Sequence, residues 1–167
     1  MRRLLILLAE DDDDLRSLYG YMLLAAGYKV SAVRNGLEAF AEIQVNRPDV
    51  IVTDIAMPVL NGLDLIVAIR SHEELADLPI IAITSFGEGI RELALALGAT
   101  NAIEKPTDLE RMRTEIEATV SLSTSATLSS KGGAPSETRE TNYTTGSEAG
   151  SATIPPLLRR RVEKMDG

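Results

Sequence analysis

Cysteine and tryptophan are absent from this chain, and aromatic side chains are limited to four tyrosines and two phenylalanines. Without thiols there are no disulfide staples, no thiolate metal sites and no cysteine nucleophile. Apolar residues still make up 44% of the 167 positions, so a core can form, and it has to be aliphatic. No run approaches the ~20 apolar residues of a membrane span. Met1-Arg2-Arg3 followed by Leu4–Ala9 imitates a signal peptide, but the apolar stretch is short and meets the acids Glu10 to Asp14 at once. A cytoplasmic protein without membrane insertion is therefore expected. Positive charge is scarce in the first 120 residues, where 11 Lys/Arg stand against 20 Asp/Glu; the whole chain carries a formal charge of −8. A phosphate backbone would be repelled, so no nucleic-acid binding by the folded part is expected.

The composition changes near Leu122. From Ser121 to Thr153 the chain is rich in Ser, Thr and Gly, as in Ser123-Thr124-Ser125 and Lys131-Gly132-Gly133. Such a segment buries too little surface to offset its ordering entropy, which predicts one domain over residues 1–120 and a disordered tail over 121–167. The tail ends in a short apolar-basic segment, Ile154-Pro155-Pro156-Leu157-Leu158-Arg159-Arg160-Arg161-Val162, which reads either as a docking peptide or as inert.

Before the tail, short apolar runs alternate with helical patterns. Leu4–Ala9 is continuously apolar, as in a central parallel strand covered on both faces. Leu15, Leu18, Tyr19, Met22, Leu23 and Ala26 recur at helical spacing, with Gly27 at the expected end. Lys29–Val33 reads as a strand, and Leu37, Phe40, Ala41 and Ile43 mark a helix that stops before Pro48. Val50–Thr53 is a third strand ending at Asp54, followed by a helix through Leu63, Leu65, Ile66 and Ile69. Ile80–Thr84, a helix around Ile90–Leu97, Asn101–Glu104 and a helix through Leu109, Met112, Ile116 and Val120 complete five βα units. The pattern predicts an α/β fold with a five-stranded parallel sheet and helices on both faces. Ligands in such folds sit at the carboxyl ends of the strands.

At those ends stand Glu10 to Asp14, then Asp54, then Thr84-Ser85, then Lys105-Pro106. Capping of the next helix accounts for Asp12, Asp13 and Asp14. It accounts less well for Glu10 and Asp11, which directly end a buried strand. Carboxylates crowded there repel one another unless a cation offsets them, and carboxylates plus water suit Mg²⁺. Asp54 is either a turn-forming loop aspartate or a carboxylate nucleophile. Thr84 has the chemistry to hydrogen-bond a phosphoryl oxygen, and Lys105 to place a point charge on it. His72, the only histidine, lies in a polar run and is expected to be exposed. Met57 and Met112 are assigned to packing.

ILLAEDDDDLR (Ile6–Arg16), PDVIVTDIAMPVLNGLDL (Pro48–Leu65), PIIAITS (Pro79–Ser85) and GATNAIEKP (Gly98–Pro106) together resemble the receiver domains of two-component response regulators. The resemblance covers about residues 4–120 and implies a flavodoxin-like (βα)5 fold. It implies Asp54 as phosphoacceptor, served by a sensor histidine kinase or a phosphotransfer protein. It also implies Mg²⁺ held by Asp11, Asp54 and the Ala56 carbonyl, with Glu10 acting through water. Thr84 matches the family's switch hydroxyl and Lys105 its lysine, whose bond to the following proline is usually cis. Two positions depart from the pattern: Ala102 stands where an aromatic residue is frequent, and Thr107 where phenylalanine is. The family's side chains two residues after the phosphoacceptor and two after the threonine influence attack by water. Here they are Ala56 and Phe86, and slow self-dephosphorylation is expected.

The resemblance implies a phosphorylation-dependent signalling switch that works by protein–protein contact and is not an enzyme. A phosphorylation-independent pseudo-receiver, or a receiver cut from a larger regulator or hybrid kinase, is the alternative. Aspartyl phosphohydrolases also place Asp after a parallel strand, but they carry a second Asp two residues on, where this chain has Ala56.

Overall fold

The computed structural model describes residues 2–129. Five strands, β1 (Leu5–Ala9), β2 (Lys29–Val33), β3 (Val50–Asp54), β4 (Ile80–Thr84) and β5 (Asn101–Glu104), form one parallel sheet in the order β2-β1-β3-β4-β5. Between and after them run α1 (Asp13–Ala25), α2 (Gly36–Val45), α3 (Gly62–Arg70), α4 (Glu88–Ala96) and α5 (Leu109–Ser129), with a short 3-10 turn at Glu73–Leu75. The expected α/β architecture is present, a flavodoxin-like parallel sheet covered by helices.

Two clusters explain the layering. α1 and α5 close one face of the sheet through Tyr19, Leu23, Met112 and Ile116 against Ile6, Leu8, Val52, Ile81 and Ile83. On the other face α2, α3 and α4 bring Phe40, Ile43, Leu65, Ile66, Ile69 and Ala94 onto Leu7, Ile51, Ile80 and Ala82. The central strands are buried on both sides, which is why they read as unbroken apolar runs rather than alternating ones.

Asp12, Asn35 and Asn61 cap α1, α2 and α3, each side chain accepting from the N–H three residues on. These caps stand at the rim where the strands end, and each satisfies one of the orphan donors of its helix.

Three readings of the sequence are corrected. Leu18 is 52% exposed, because it stands a full 100° around α1 from Tyr19, outside the face that Leu15, Tyr19, Met22 and Leu23 turn to the sheet. In α2 the buried alanine is Ala39, and Ala41 faces outward. The last helix does not stop at Val120 but continues to Ser129, so the start of the supposed disordered tail is helical. No Pro or Gly occurs between Leu109 and Ser129, and Ser and Thr cost only a few tenths of a kcal/mol each, so composition alone does not end a helix already nucleated on the sheet. The rest of the tail, including residues 154–162, lies outside the described residues.

Candidate phosphoacceptor and metal site

Strand register builds the site. Ala9 pairs with Thr53, so the next residue on each strand, Glu10 and Asp54, emerges side by side at the rim. Thr84 ends β4 on the far side of β3, opposite Glu104 of β5, and Lys105 follows directly. The chain leaves β1 toward β2 on one side and returns to β3 on the other, so the rim between β1 and β3 is the topological switch point.

Carboxylate oxygens of Glu10, Asp11 and Asp54 all lie within 4.8 Å of one another. Glu10 and Asp54 are buried, while Asp11 opens to solvent. The Lys105 ammonium bridges the two buried acids, donating to Glu10 Oε2 at 2.7 Å and to Asp54 Oδ2 at 2.9 Å. One ammonium serves two acids. Burial pushes the Glu10 carboxyl above its usual range despite the Lys105 contact, and the Asp54 charge adds to this. Burial pulls Lys105 down, but its hydrogen bonds to Glu10 and Asp54 outweigh that and hold it above its ordinary value. Three acids against one amine leave the pocket with an excess of negative charge.

The loops that hold these groups are tightly fitted. After Asp54 the chain turns so that the Ala56 N–H donates to Asp54 Oδ1 at 3.3 Å, and the Gly62 N–H returns to the Ile55 carbonyl at 2.9 Å. A Cβ on Gly62 would meet the Asp54 carbonyl oxygen at 2.2 Å, so only glycine allows that approach. Between them Val59 has φ +66°, a left-handed conformation that is strained for a β-branched residue. Thr84 is fully buried, and its Oγ1 accepts from the Phe86 N–H at 3.0 Å. The Lys105-Pro106 peptide bond is cis.

Some contributors were not read from the sequence. Arg16, one turn into α1, donates to the Glu10 carbonyl at 2.9 Å and the Asp11 carbonyl at 3.3 Å while pairing with Asp13, which it holds below the usual carboxylate range. Tyr19, buried beneath the rim, hydrogen-bonds the Thr107 backbone, and its phenol is held above the ordinary value chiefly by burial. Arg16 was legible in principle, since a cation three residues after Asp13 reaches back over the first turn. Tyr19 was legible only as core. At the two departing positions, Ala102 is buried with its carbonyl taking a 3.1 Å bond from Arg91 Nε, and Thr107 is buried with Oγ1 unpartnered among the described residues. His72 is not exposed. It is half-buried, edge-on to Phe40 at 6.3 Å between ring centroids, with Nδ1 lacking a partner among the described residues. Its backbone joins the end of α3 to the 3-10 turn, and this draws the ring inward despite its polar neighbours.

Residues 6–117 match the model of the response regulator receiver domain. The chain belongs to the receiver family. Among its relatives, the polar-differentiation response regulator DivK of Brucella anthropi is 33% identical over 107 residues, covering 64% of this chain and 87% of that protein. The chemotaxis response regulator CheY4 of Vibrio cholerae superposes with a TM-score of 0.66 at 28% identity, over 71% of this chain and 99% of that one. The signal receiver domain of a histidine kinase from Syntrophus aciditrophicus gives 0.66 at 28% identity, over 71% and 90%. Receivers act mainly as signalling switches, work with histidine kinases or phosphotransfer proteins, and typically bind Mg²⁺ at an acidic pocket. This receiver has such a pocket, and its donors are all hard carboxylate oxygens, the set Mg²⁺ favours. Among the described residues no helix is long and apolar enough to cross a membrane.

Proposed function

We propose that this receiver is a phosphorylation-dependent switch in which Asp54 accepts a phosphoryl group from a sensor histidine kinase or a phosphotransfer protein. The observation that carries the reading is the Lys105 ammonium bridging Glu10 and Asp54 inside an acid cluster at the switch point of the sheet. An Asp54 carboxylate oxygen attacks the phosphorus of a phosphohistidine. The P–N bond breaks, its electron pair stays on the imidazole, and the new O–P bond makes an acyl phosphate. Lys105 then holds a phosphoryl oxygen instead of one Asp54 oxygen, and the Thr84 hydroxyl donates to another. Asp11, Asp54 and the Ala56 carbonyl are assigned to Mg²⁺, with Glu10 acting through water. When bound there, the ion would supply positive charge that lets an anionic donor approach a carboxylate.

In this reading residues 1–120 are the receiver, with α5 running on beyond it. Output is by protein–protein contact in the cytoplasm rather than by turnover catalysis. Asp54 has no second acid two residues on to activate water, because Ala56 stands there.

The test is Mg²⁺-dependent phosphorylation by acetyl phosphate, followed on a phosphate-affinity gel. A retarded band that requires Mg²⁺ and is lost in Asp54→Ala is expected. A wild-type chain that stays unmodified with acetyl phosphate and with a panel of phosphorylated histidine kinases overturns the proposal and leaves a receiver that works without phosphate.

A further inference from the structure

The outer face of α1 is an unusual surface for a helix packed on a sheet. Leu18, Tyr21 and Leu24 are 52%, 72% and 56% exposed, at i, i+3 and i+6, and so form one continuous apolar row. Single exposed leucines need no explanation, but a row of three large side chains does. At its N-terminal end the row runs into Asp11 to Asp14, all exposed, of which only Asp13 has a cationic side-chain partner, Arg16, among the described residues. Along α1 the face therefore reads acidic first and apolar second.

Residues 154–162 have the opposite order. Ile154, Leu157 and Leu158 precede Arg159, Arg160 and Arg161. Laid antiparallel to α1, the leucines meet Leu18 and Tyr21 while the arginines meet Asp13 and Asp14. The spacing agrees. From Asp14 to Tyr21 a helix advances ~10 Å at 1.5 Å per residue. From Leu158 to Arg161 an extended chain covers about the same distance at ~3.3 Å per residue. The residues between Ser129 and Ile154 span up to ~80 Å if extended, and α1 and α5 lie on the same face of the sheet, so the segment reaches α1 easily. Tethering makes such a contact intramolecular, at an effective concentration on the order of millimolar. The other exposed apolar helix, α4, is a poorer match. Leu93 and Leu95 diverge by ~200° around it, and its first turn carries one acid, Glu88, where the start of α1 carries Asp13 and Asp14.

We infer that residues 154–162 dock on the outer face of α1, with Leu157 and Leu158 on the row Leu18, Tyr21 and Leu24 and the three arginines on the acids of the first turn. The segment thereby covers the helix that leads out of the Glu10–Asp11 turn, which any protein approaching along α1 would have to displace.

The absence of cysteine makes the test direct, since one introduced cysteine carries the only spin label. A nitroxide on Glu163→Cys of the full-length, isotopically labelled chain is expected to broaden the amides of Leu18, Tyr21 and Leu24. The broadening should fall to background in a chain that also carries Arg159→Glu, Arg160→Glu and Arg161→Glu, and return when Asp13→Arg and Asp14→Arg are added. Leu18→Glu with Tyr21→Glu should abolish it, with the remaining amide spectrum showing that the domain is folded. No broadening on α1, or broadening centred on α4, overturns the inference. So does broadening that appears only when spin-labelled, isotope-free chain is mixed with unlabelled isotopic chain, because the occupant is then a second copy.

Discussion

At the scale of single residues, the site is built from carboxylates of like charge held close together. Glu10 shows this most directly. Its native carboxyl is raised by burial, so its contribution to stability is fully present below 4.5, the unfolded value, and is lost as pH rises through the native one. Glu10→Gln keeps an acceptor for Lys105 and removes a charge. In chelator at neutral pH it is therefore expected to melt about 2–4 °C above wild type, with the gap closing near pH 4, as thermal scans would reveal. A variant that melts lower at neutral pH contradicts the picture of an over-acidic pocket. Val59 offers a second check. Asn tolerates a φ of +66° where Val does not, so Val59→Asn should raise the melting temperature by a few degrees, for on the order of 1 kcal/mol of relieved strain. Ala56 and Phe86 bring no polar side-chain atom beside Asp54 or Thr84, and the phosphorylated protein should accordingly decay over minutes or longer. Lifetimes of seconds, measured by loss of the retarded gel band, would rule that out.

At the scale of elements, the sequence made the strands most legible and the helix faces less so. Buried parallel strands announce themselves as short apolar runs, and each was found within one residue of its expected place. A helix gives only a stripe whose edges are ambiguous, which is how Leu18 and Ala41 were placed on the wrong face. The end of α5 was missed for a different reason. Loss of large apolar residues removes the case for packing, not the ability of a helix already begun to continue. Glu10, Asp11, Asp54 and Lys105, which the fold brings together, were legible as a group because each ends a strand or follows one within two residues. Arg16 and Tyr19 were not, because they reach the rim from a helix. Capping at this rim is also testable. Asn61 accepts from the Asp64 N–H at 2.8 Å, and its own amide donates to Asp64 Oδ2 at 3.0 Å. Asn61→Ala should cost about 1 kcal/mol in a denaturant titration and loosen the turn that carries Gly62 back to Asp54. No loss of stability would mean that the contact between Gly62 and Ile55 holds α3 without its cap.

For the whole molecule, the expectation concerns metal. A ligand that binds only the native state raises its melting temperature with concentration, and on the proposed function Mg²⁺ is such a ligand for the carboxylate-rich pocket. Millimolar Mg²⁺ is expected to raise the wild-type melting temperature by a few degrees and to raise that of Asp54→Ala by much less. Equal shifts in both proteins would place the ion elsewhere. The same comparison separates the site from the fold, since Asp54 belongs to neither core cluster.

The burial of Tyr19 beneath the rim has an optical consequence. With no tryptophan in the chain, ultraviolet emission comes from four tyrosines, and among the described ones only Tyr19 is buried, while Tyr21 is open to water. The Tyr19 ring feels the charges of Glu10, Asp54 and Lys105 and is tied through Thr107 to the loop that carries the lysine. The chain thus holds one of its own fluorophores beside the acid cluster, and a change in charge at Asp54 is expected to show as a change in tyrosine emission, read without a dye.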